Sequence, residues 1–223
     1  MNNSGAKNAK IPFYVKKIYH MARVTPRILL GWLIDRRLNI ETSPFEFFSN
    51  PDPVDTESGD AVIYLPTRYR SIDRLLAMLP MDSQAVFYDI GAGMGRVTCV
   101  AVRLPVRKVV GVEYSAALCA IARNNAARLR GRLSAVEIIE GDAARVDYRD
   151  GTVFWLFNPF GEITTRAFLA QLKKSLDQNP RPITILLLNA EQAHCFEKCE
   201  WLTAFAKVSD MPEGPAIIWK NRN

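Results

Sequence analysis

Two hydrophobic patterns alternate along the chain beyond residue 60. Short runs of β-branched and aromatic residues are followed by longer stretches in which apolar residues recur every three or four positions. This order is typical of parallel strands connected by helices. It predicts an α/β fold with a doubly wound, mostly parallel, seven-stranded sheet that ends in an antiparallel pair and an antiparallel last strand. We place the strands at 86–90, 108–113, 135–140, 152–158, 182–189, 203–208 and 215–220, and the helices at 69–79, 95–103, 115–129, 163–177 and 191–200.

The first 60 residues follow a different pattern. From Ile11 onward, apolar residues recur at helical spacing with lysines and arginines between them, which predicts a basic amphipathic helix that Pro26 ends or kinks. Residues 27–38 form a second short helical pattern, and residues 42–60 are rich in proline, serine and aspartate, which is typical of a connecting loop. We therefore divide the chain into a helical N-terminal extension with its linker, residues 1–60, and an α/β domain, residues 61–223.

Composition and charge narrow the class of protein. The 223 residues are 48% hydrophobic and 23% charged, which excludes collagen-like and disordered chains, and no apolar run reaches the roughly 18 residues of a membrane-spanning helix. The four cysteines lie in apolar or helical stretches, which favours reduced thiols and a cytoplasmic location, with the membrane periphery as a variant.

Positive charge is concentrated at the N-terminus. Residues 1–40 contain eight lysines and arginines and a single acid, whereas the rest of the chain is almost neutral. This asymmetry favours contact with an anionic surface, whether nucleic acid, an acidic protein or lipid. The alternative is that the apolar stripe of this arm packs as a lid over the functional site and that its charges are solvated.

A glycine-rich turn joins the first predicted strand to the next helix. Gly91, Gly93 and Gly95 leave room for close approach of a ligand to the backbone, and the helix that follows offers free N–H groups. A dinucleotide-binding fingerprint requires a small residue at position 96, where this chain has Arg96. Asp89, two residues before the first glycine, suits a cationic ligand and would sit poorly beside pyrophosphate.

This segment resembles motif I of the class I, Rossmann-like S-adenosylmethionine-dependent methyltransferases. The resemblance implies S-adenosyl-L-methionine as the cofactor, with its amino-acid end wrapped by the turn from Gly91 through Ala92 to Gly95 and oriented by Asp89. Glu113 ends the second predicted strand, where its carboxylate can accept from both ribose hydroxyls.

Further cofactor contacts follow from the same resemblance. Tyr114 is placed to lie beside the adenine, and Ser115 caps the next helix. The third strand ends in a turn similar to the adenine-binding acidic turn of the family. There, Asp142 accepts from the adenine amino group and the amide of Ala143 donates to a ring nitrogen.

The fourth strand ends in Asn158, Pro159 and Phe160, which resembles motif IV of the amino-group methyltransferases. In that family, the asparagine side chain and a proline carbonyl accept hydrogen bonds from the substrate amine. This chain lacks the second proline of the usual pattern. The resemblance therefore implies a nitrogen acceptor and these three catalytic residues, but no particular nucleobase or amino acid. The alternative is a plain strand-ending turn.

A segment before the first strand resembles one found in lysine methyltransferases of the telomeric-silencing-disruptor type. It contains Tyr64, Pro66 and Thr67, and the resemblance places Tyr64 and Thr67 on the methionine side of the cofactor. As an alternative, Pro66 and Thr67 simply begin a helix. Residues 33–190 as a whole resemble uncharacterised bacterial members of the class with the same Asn-Pro-Phe ending.

The sequence predicts a methyltransferase with an unidentified methyl acceptor, and a protein nitrogen is favoured. Acceptors of other kinds (RNA, lipid or a small molecule) are alternatives, as is a cofactor-binding protein without catalysis. No metal site is predicted, because His194, Cys195 and Cys199 form an incomplete ligand set on one helix.

Overall fold

The computed structural model describes residues 29–43, 59–60 and 64–222. Its centre is a seven-stranded sheet with the order β3-β2-β1-β4-β5-β7-β6. The strands are β1 (Val86–Ile90), β2 (Lys108–Glu113), β3 (Ala135–Glu140), β4 (Val153–Phe157), β5 (Thr184–Leu188), β6 (Leu202–Val208) and β7 (Ala216–Asn221). The helices are α1 (29–38), α2 (Tyr69–Leu76), α3 (Arg96–Ala101), α4 (Ala116–Arg128), α5 (Glu162–Gln178) and α6 (Ala193–Glu197).

The strand pairings confirm the predicted fold class. Strands β1 to β5 are mutually parallel, and β7 pairs antiparallel with both β5 and β6. The predicted strands match the observed ones within two residues at each end. Helices α2, α3 and α6 are shorter than predicted. Helix α3, for example, begins only after Gly95, which has a left-handed φ of 80°.

Alternating side chains on the central strands build a core on each face of the sheet. Phe87 and Trp155 point to the face covered by α2 and α3, whereas Tyr88 and Phe154 point to the face covered by α5. Every residue of β1 and β5 is buried, as expected for strands covered by helices on both sides.

The described part of the N-terminal segment packs on the α/β domain. Leu38 and Ile40 are 5% exposed and join the core under α2 and α3. The side chain of Asn125 on α4 accepts from the Glu41 amide at 2.9 Å and donates to the Glu41 carbonyl at 2.7 Å. The predicted helix before Pro26 and most of the linker lie outside the described residues, and the domain boundary at residue 60 stays a prediction.

None of the helices described above combines the length and the hydropathy of a membrane-spanning segment.

Candidate functional site

The carboxyl ends of the parallel strands open onto one cavity. After β1 the chain winds outward to β2 and β3 and then returns to β4 on the other side of β1, so the strand order reverses between β1 and β4. Ligands in doubly wound sheets bind at such a reversal. The cavity is lined by twelve of the fourteen predicted site residues: Tyr64, Thr67, Asp89, Gly91, Ala92, Glu113, Tyr114, Asp142, Ala143, Asn158, Pro159 and Phe160.

Gly93 and Gly95, the other two, belong to the loop but do not line the cavity. A Cβ on Gly93 would lie 2.2 Å from the ring of Tyr64, and one on Gly95 would lie 3.2 Å from the Cβ of Ala122 on α4. Gly93 therefore lets Tyr64 cover the loop, and Gly95 lets α3 approach α4. Gly91 has a φ of 74°, and its Cβ would lie 2.4 Å from the Cβ of Pro159, so the loop of β1 and the loop of β4 touch.

Two buried carboxylates lie at the floor of the cavity. One Asp89 oxygen accepts from the amide and the hydroxyl of Thr98, at 2.9 and 2.7 Å, and the residue is 3% exposed. Burial raises the pKa of Asp89 to about 7, against the opposing effect of the Thr98 hydrogen bonds. Burial also raises the pKa of Glu113, and N–H groups including those of Ser115 and Gly93 oppose this shift.

Glu113 has a structural role that sequence reasoning missed. Its Oε2 accepts from the Gly93 amide at 2.8 Å and its Oε1 from the Ser115 amide at 2.9 Å. The carboxylate thus ties the glycine loop of β1 to the start of α4. The predicted cap at Ser115 is present, because its hydroxyl oxygen accepts from the amide of Leu118.

The turn after β3 closes another side of the cavity. Asp142 accepts from the Ala144 amide at 2.8 Å, and the buried Ala143 carbonyl accepts from the Tyr148 hydroxyl at 2.7 Å. Tyr114 is 36% exposed and lies across from this turn at the end of β2. Tyr114, Asp142 and Ala143 therefore line the cavity at the ends of β2 and β3.

Asn158 is the most unusual polar residue of the site. It is 8% exposed and has a φ of 39°, in the left-handed region that asparagine tolerates better than other non-glycine residues. Its Oδ1 is buried and has no hydrogen-bond partner among the described residues. A buried acceptor without a partner is unfavourable unless a ligand supplies the donor.

A charge network beside the cavity was not predicted. Arg96 lines the cavity, yet it is 6% exposed and donates to Thr42 Oγ1 at 2.6 Å and to Asp35 Oδ2 at 3.4 Å. Asp35 also accepts from the Thr42 amide at 2.9 Å and from the Tyr69 hydroxyl. The signals in the sequence were the bulky residue at position 96 and the isolated acid among the first 40 residues.

The same network holds the segment from Tyr64 to Thr67, which we call the strap. Arg96 Nη1 donates to the Thr67 carbonyl at 3.2 Å, and the Tyr64 hydroxyl donates to the Thr42 carbonyl at 3.1 Å. Because the Tyr64 ring lies over Gly93, the strap covers the glycine loop. Asp35 and Thr42 therefore hold Arg96 and the strap in place at the wall of the cavity.

A second cluster of polar side chains lies at the start of α5. Ligand atoms of Glu162, His194 and Cys195 lie within 4.8 Å of one another. The Glu162 carboxylate also accepts from the guanidinium of Arg166 at 2.8 Å, which places a positive charge in the cluster. The prediction that the chain has no metal site stays a prediction.

Part of the chain matches a known protein family, and its fold resembles solved structures. Residues 87–179 match the family described as a methyltransferase domain. The structure resembles an RNA methyltransferase from Salinibacter ruber, crystallised with S-adenosyl-L-homocysteine. The TM-score is 0.54 and the identity 24%, over 71% of this chain and 95% of that one. It also resembles a SAM-dependent methyltransferase from Aquifex aeolicus, with a TM-score of 0.56 and 11% identity over 82% of this chain and 100% of that one.

One curated relative is a protein-lysine N-methyltransferase of Saccharolobus islandicus. It is 32% identical over 102 residues, which are 43% of this chain and 60% of the relative. The chain thus matches somewhat less than two thirds of that protein.

Residues 87–179 thus match a methyltransferase-domain family, and the described fold is the doubly wound α/β fold of the solved methyltransferases that it resembles. The sequence resemblance to the S-adenosylmethionine-dependent methyltransferases implies S-adenosylmethionine as the cofactor. The cavity fits this cofactor, since it is lined by carboxylates and its arginine, Arg96, is already paired with Asp35. Such a lining accommodates a cationic ligand better than a pyrophosphate.

Proposed function

We propose that this protein transfers a methyl group from S-adenosylmethionine to a nitrogen atom of a protein, and that a lysine side chain is the favoured acceptor. The observation that carries the proposal is Asn158, whose buried Oδ1 lacks a donor among the described residues. An amine at the cavity would supply that donor. The name of the Saccharolobus relative supports lysine in particular.

The roles of the cofactor-side residues are part of this proposal. Asp89 and the backbone from Gly91 to Ala92 hold the amino-acid end, under the strap with Tyr64 and Thr67. Glu113 accepts from the ribose while its other lone pairs hold the loop. Tyr114, Asp142 and Ala143 hold the adenine at the ends of β2 and β3. Gly93 and Gly95 belong to the same cofactor-binding loop and give it its shape.

The chemistry requires alignment more than acid–base catalysis. The bound cofactor supplies an already activated methyl group on its sulfonium. Asn158 Oδ1 and the Pro159 carbonyl orient the acceptor nitrogen, and Phe160, 7% exposed and packed near Phe168 at 6.4 Å between ring centroids, keeps water out. A lysine ammonium must lose its proton before its lone pair can attack. Holding reactants in line supplies on the order of 7–11 kcal/mol.

The test is transfer of radiolabelled methyl groups from S-adenosylmethionine to fractions of a cell lysate. We expect label in protease-sensitive material, recovered as methyl-lysine after acid hydrolysis. A lysate fraction whose lysines have been acetylated is the matched control and should remain unlabelled. Label in nuclease-sensitive or lipid-extractable material would contradict the protein acceptor and favour RNA or lipid.

Two variants test the role of Asn158. Asn158→Gly removes the amide and relieves the left-handed strain, so the chain should fold, bind S-adenosylhomocysteine normally and transfer methyl groups about 10²-fold more slowly. Asn39→Gly is the control, because Asn39 is also left-handed, with a φ of 61°, but does not line the cavity. Unchanged transfer by Asn158→Gly would exclude the amine contact and leave the cofactor site standing.

A further inference from the structure

Helix α1 presents an apolar face to the outside. Leu29, Leu30, Trp32 and Leu33 are between 39% and 60% exposed, whereas Asp35 and Leu38 on the inner side are buried. An ordinary surface helix has the opposite arrangement, with its apolar stripe inward. Four large apolar side chains on one helix face mark a site of interaction.

Arginines border this face at its carboxyl end. Arg36 and Arg37 are exposed, and the Arg36 guanidinium lies 4.8 Å from the centre of the Trp32 ring. Tryptophan and arginine combine an apolar body with a polar end, which suits the boundary between hydrocarbon and water.

The charges of the segment determine what the face can contact. Residues 1–40 carry eight basic residues and one acid, and that acid, Asp35, is buried and paired with Arg96. Within the described residues 29–40, Arg36 and Arg37 are therefore exposed and no acidic side chain is. The partner must be both anionic and able to receive leucine side chains.

These two requirements decide which partner can bind the exposed apolar face of α1. Nucleic acid offers phosphates but no place for four apolar side chains. The amphipathic segment before Pro26 and a second copy of the chain are themselves basic, so both would bring like charges together. An acidic protein would have to combine its charge with an apolar groove shaped for this face, whereas an anionic bilayer satisfies both requirements without a shaped site, as it does for basic amphipathic helices in general.

We propose that α1 docks on an anionic lipid bilayer, with Leu29, Leu30, Trp32 and Leu33 inserted at headgroup depth and Arg36 and Arg37 on the lipid phosphates. Because Asp35 on the same helix contacts Arg96 of the cavity wall, docking holds the cavity close to the lipid surface. This inference does not depend on the identity of the methyl acceptor.

The experiment is co-sedimentation of the full chain with vesicles. Vesicles of phosphatidylcholine mixed with phosphatidylglycerol should bind the protein, and binding should weaken as salt is raised. Vesicles of phosphatidylcholine alone should bind much less. Leu30→Glu/Leu33→Glu should weaken anionic binding at least tenfold, and each neutralised arginine about fivefold.

A matched variant separates docking from a general effect of new acids. Met78→Glu/Leu133→Glu places two glutamates at exposed apolar positions elsewhere, 42% and 67% exposed, and should bind vesicles nearly as the parent does. Both variants should bind S-adenosylhomocysteine like the parent, which separates this test from that of the proposed function.

Four outcomes would overturn the proposal. They are equal binding to neutral and anionic vesicles, no binding to either, a dimer in lipid-free buffer that Leu30→Glu/Leu33→Glu dissociates, and a large loss of thermal stability in that variant. The third would assign the face to a second copy, and the fourth to the chain's own N-terminal arm.

Discussion

Gly91 is the residue at which the loops of β1 and β4 meet. Its left-handed φ of 74° disfavours a side chain, and a Cβ at this position would lie only 2.4 Å from the Cβ of Pro159. We expect Gly91→Ala to abolish binding of S-adenosylhomocysteine. Pro159 and Phe160, which line the cavity, would have to shift to make room for the new methyl group. Calorimetric titration measures this effect.

Gly131→Ala is the control for that variant. Gly131 has a similar φ of 75°, but its Cβ would approach only the flexible side chain of Arg103, at 3.3 Å. Both variants carry the left-handed strain of about 1–2 kcal/mol, so only Gly91→Ala should lose the ligand. If both variants bind equally well, the close contact between the two loops has no role in the site.

The raised pKa of Asp89 implies that cofactor binding depends on pH. Burial raises its pKa to about 7, and a cationic ligand favours the ionised form. Below the pKa, binding must first remove a proton, so affinity for S-adenosylmethionine should rise up to about tenfold per pH unit as pH approaches 7 and then level off. Titrations across this range should show a weaker, flatter profile in Asp89→Asn. A parent profile that falls with pH would contradict the assignment.

At the scale of residues, the sequence indicated which side chains lie at the ends of strands, but it did not indicate their hydrogen-bond partners. Asp89, Glu113 and Asn158 could be chosen as candidates because each lies at or near the end of a predicted parallel strand, and such ends share one edge of a sheet; the structure places all three at one cavity. Nothing in the sequence shows that the Glu113 carboxylate accepts hydrogen bonds from the Gly93 and Ser115 amides, or that Gly93 contacts the Tyr64 ring. Those contacts depend on loop geometry.

At the scale of elements, the pair formed by Asp35 and Arg96 joins α1 to the start of α3. Arg96→Met should destabilise the fold by about 3–5 kcal/mol, because it leaves a buried carboxylate without its cation. It should also weaken binding of S-adenosylhomocysteine, since the strap loses its bond at Thr67. Urea denaturation and calorimetry measure the two effects.

The double variant Asp35→Asn/Arg96→Met should lose less stability than the two single variants added together, because neither partner is then left charged and alone. Arg74→Ala is the control, since Arg74 and Asp210 form an exposed pair, and its urea midpoint should not move. Strict additivity of Asp35→Asn and Arg96→Met would show that the two residues do not act together.

Helix and strand positions were accessible from the sequence because their periodicities differ. Where the predicted and observed helices differ, local geometry is the reason. Gly95 adopts a left-handed conformation, so α3 begins one residue later than predicted. Helix α2 ends at Leu76, although the apolar pattern continues to residue 79. The supporting role of residues 35–42 was hidden, because their contacts with Arg96 join positions 54 and 61 residues apart in the chain.

At the scale of the whole molecule, the alternation of strand and helix patterns in the sequence was sufficient to predict a mostly parallel sheet with an antiparallel end. The insertion of β7 between β5 and β6 was not predictable, because strand order at an edge depends on pairings between distant segments. The sequence showed the positive charge and the helical periodicity of the basic arm. Only the structure shows that part of it turns its leucines outward.

A ligand that binds only the folded state must also stabilise the whole domain. S-adenosylhomocysteine at 100 times its dissociation constant should add about 2.7 kcal/mol to the free energy of unfolding. Thermal melts of the parent should shift upward with ligand concentration, and those of Gly91→Ala should not. A shift of equal size in both proteins would place the ligand elsewhere.

The most direct test of the cofactor assignment is calorimetric titration of the full chain with S-adenosylmethionine, S-adenosylhomocysteine and NADH in parallel. We predict one site that binds the first two and shows no heat of binding with NADH. Saturable binding of NADH, with neither adenosyl ligand bound, would contradict the assignment of the cavity.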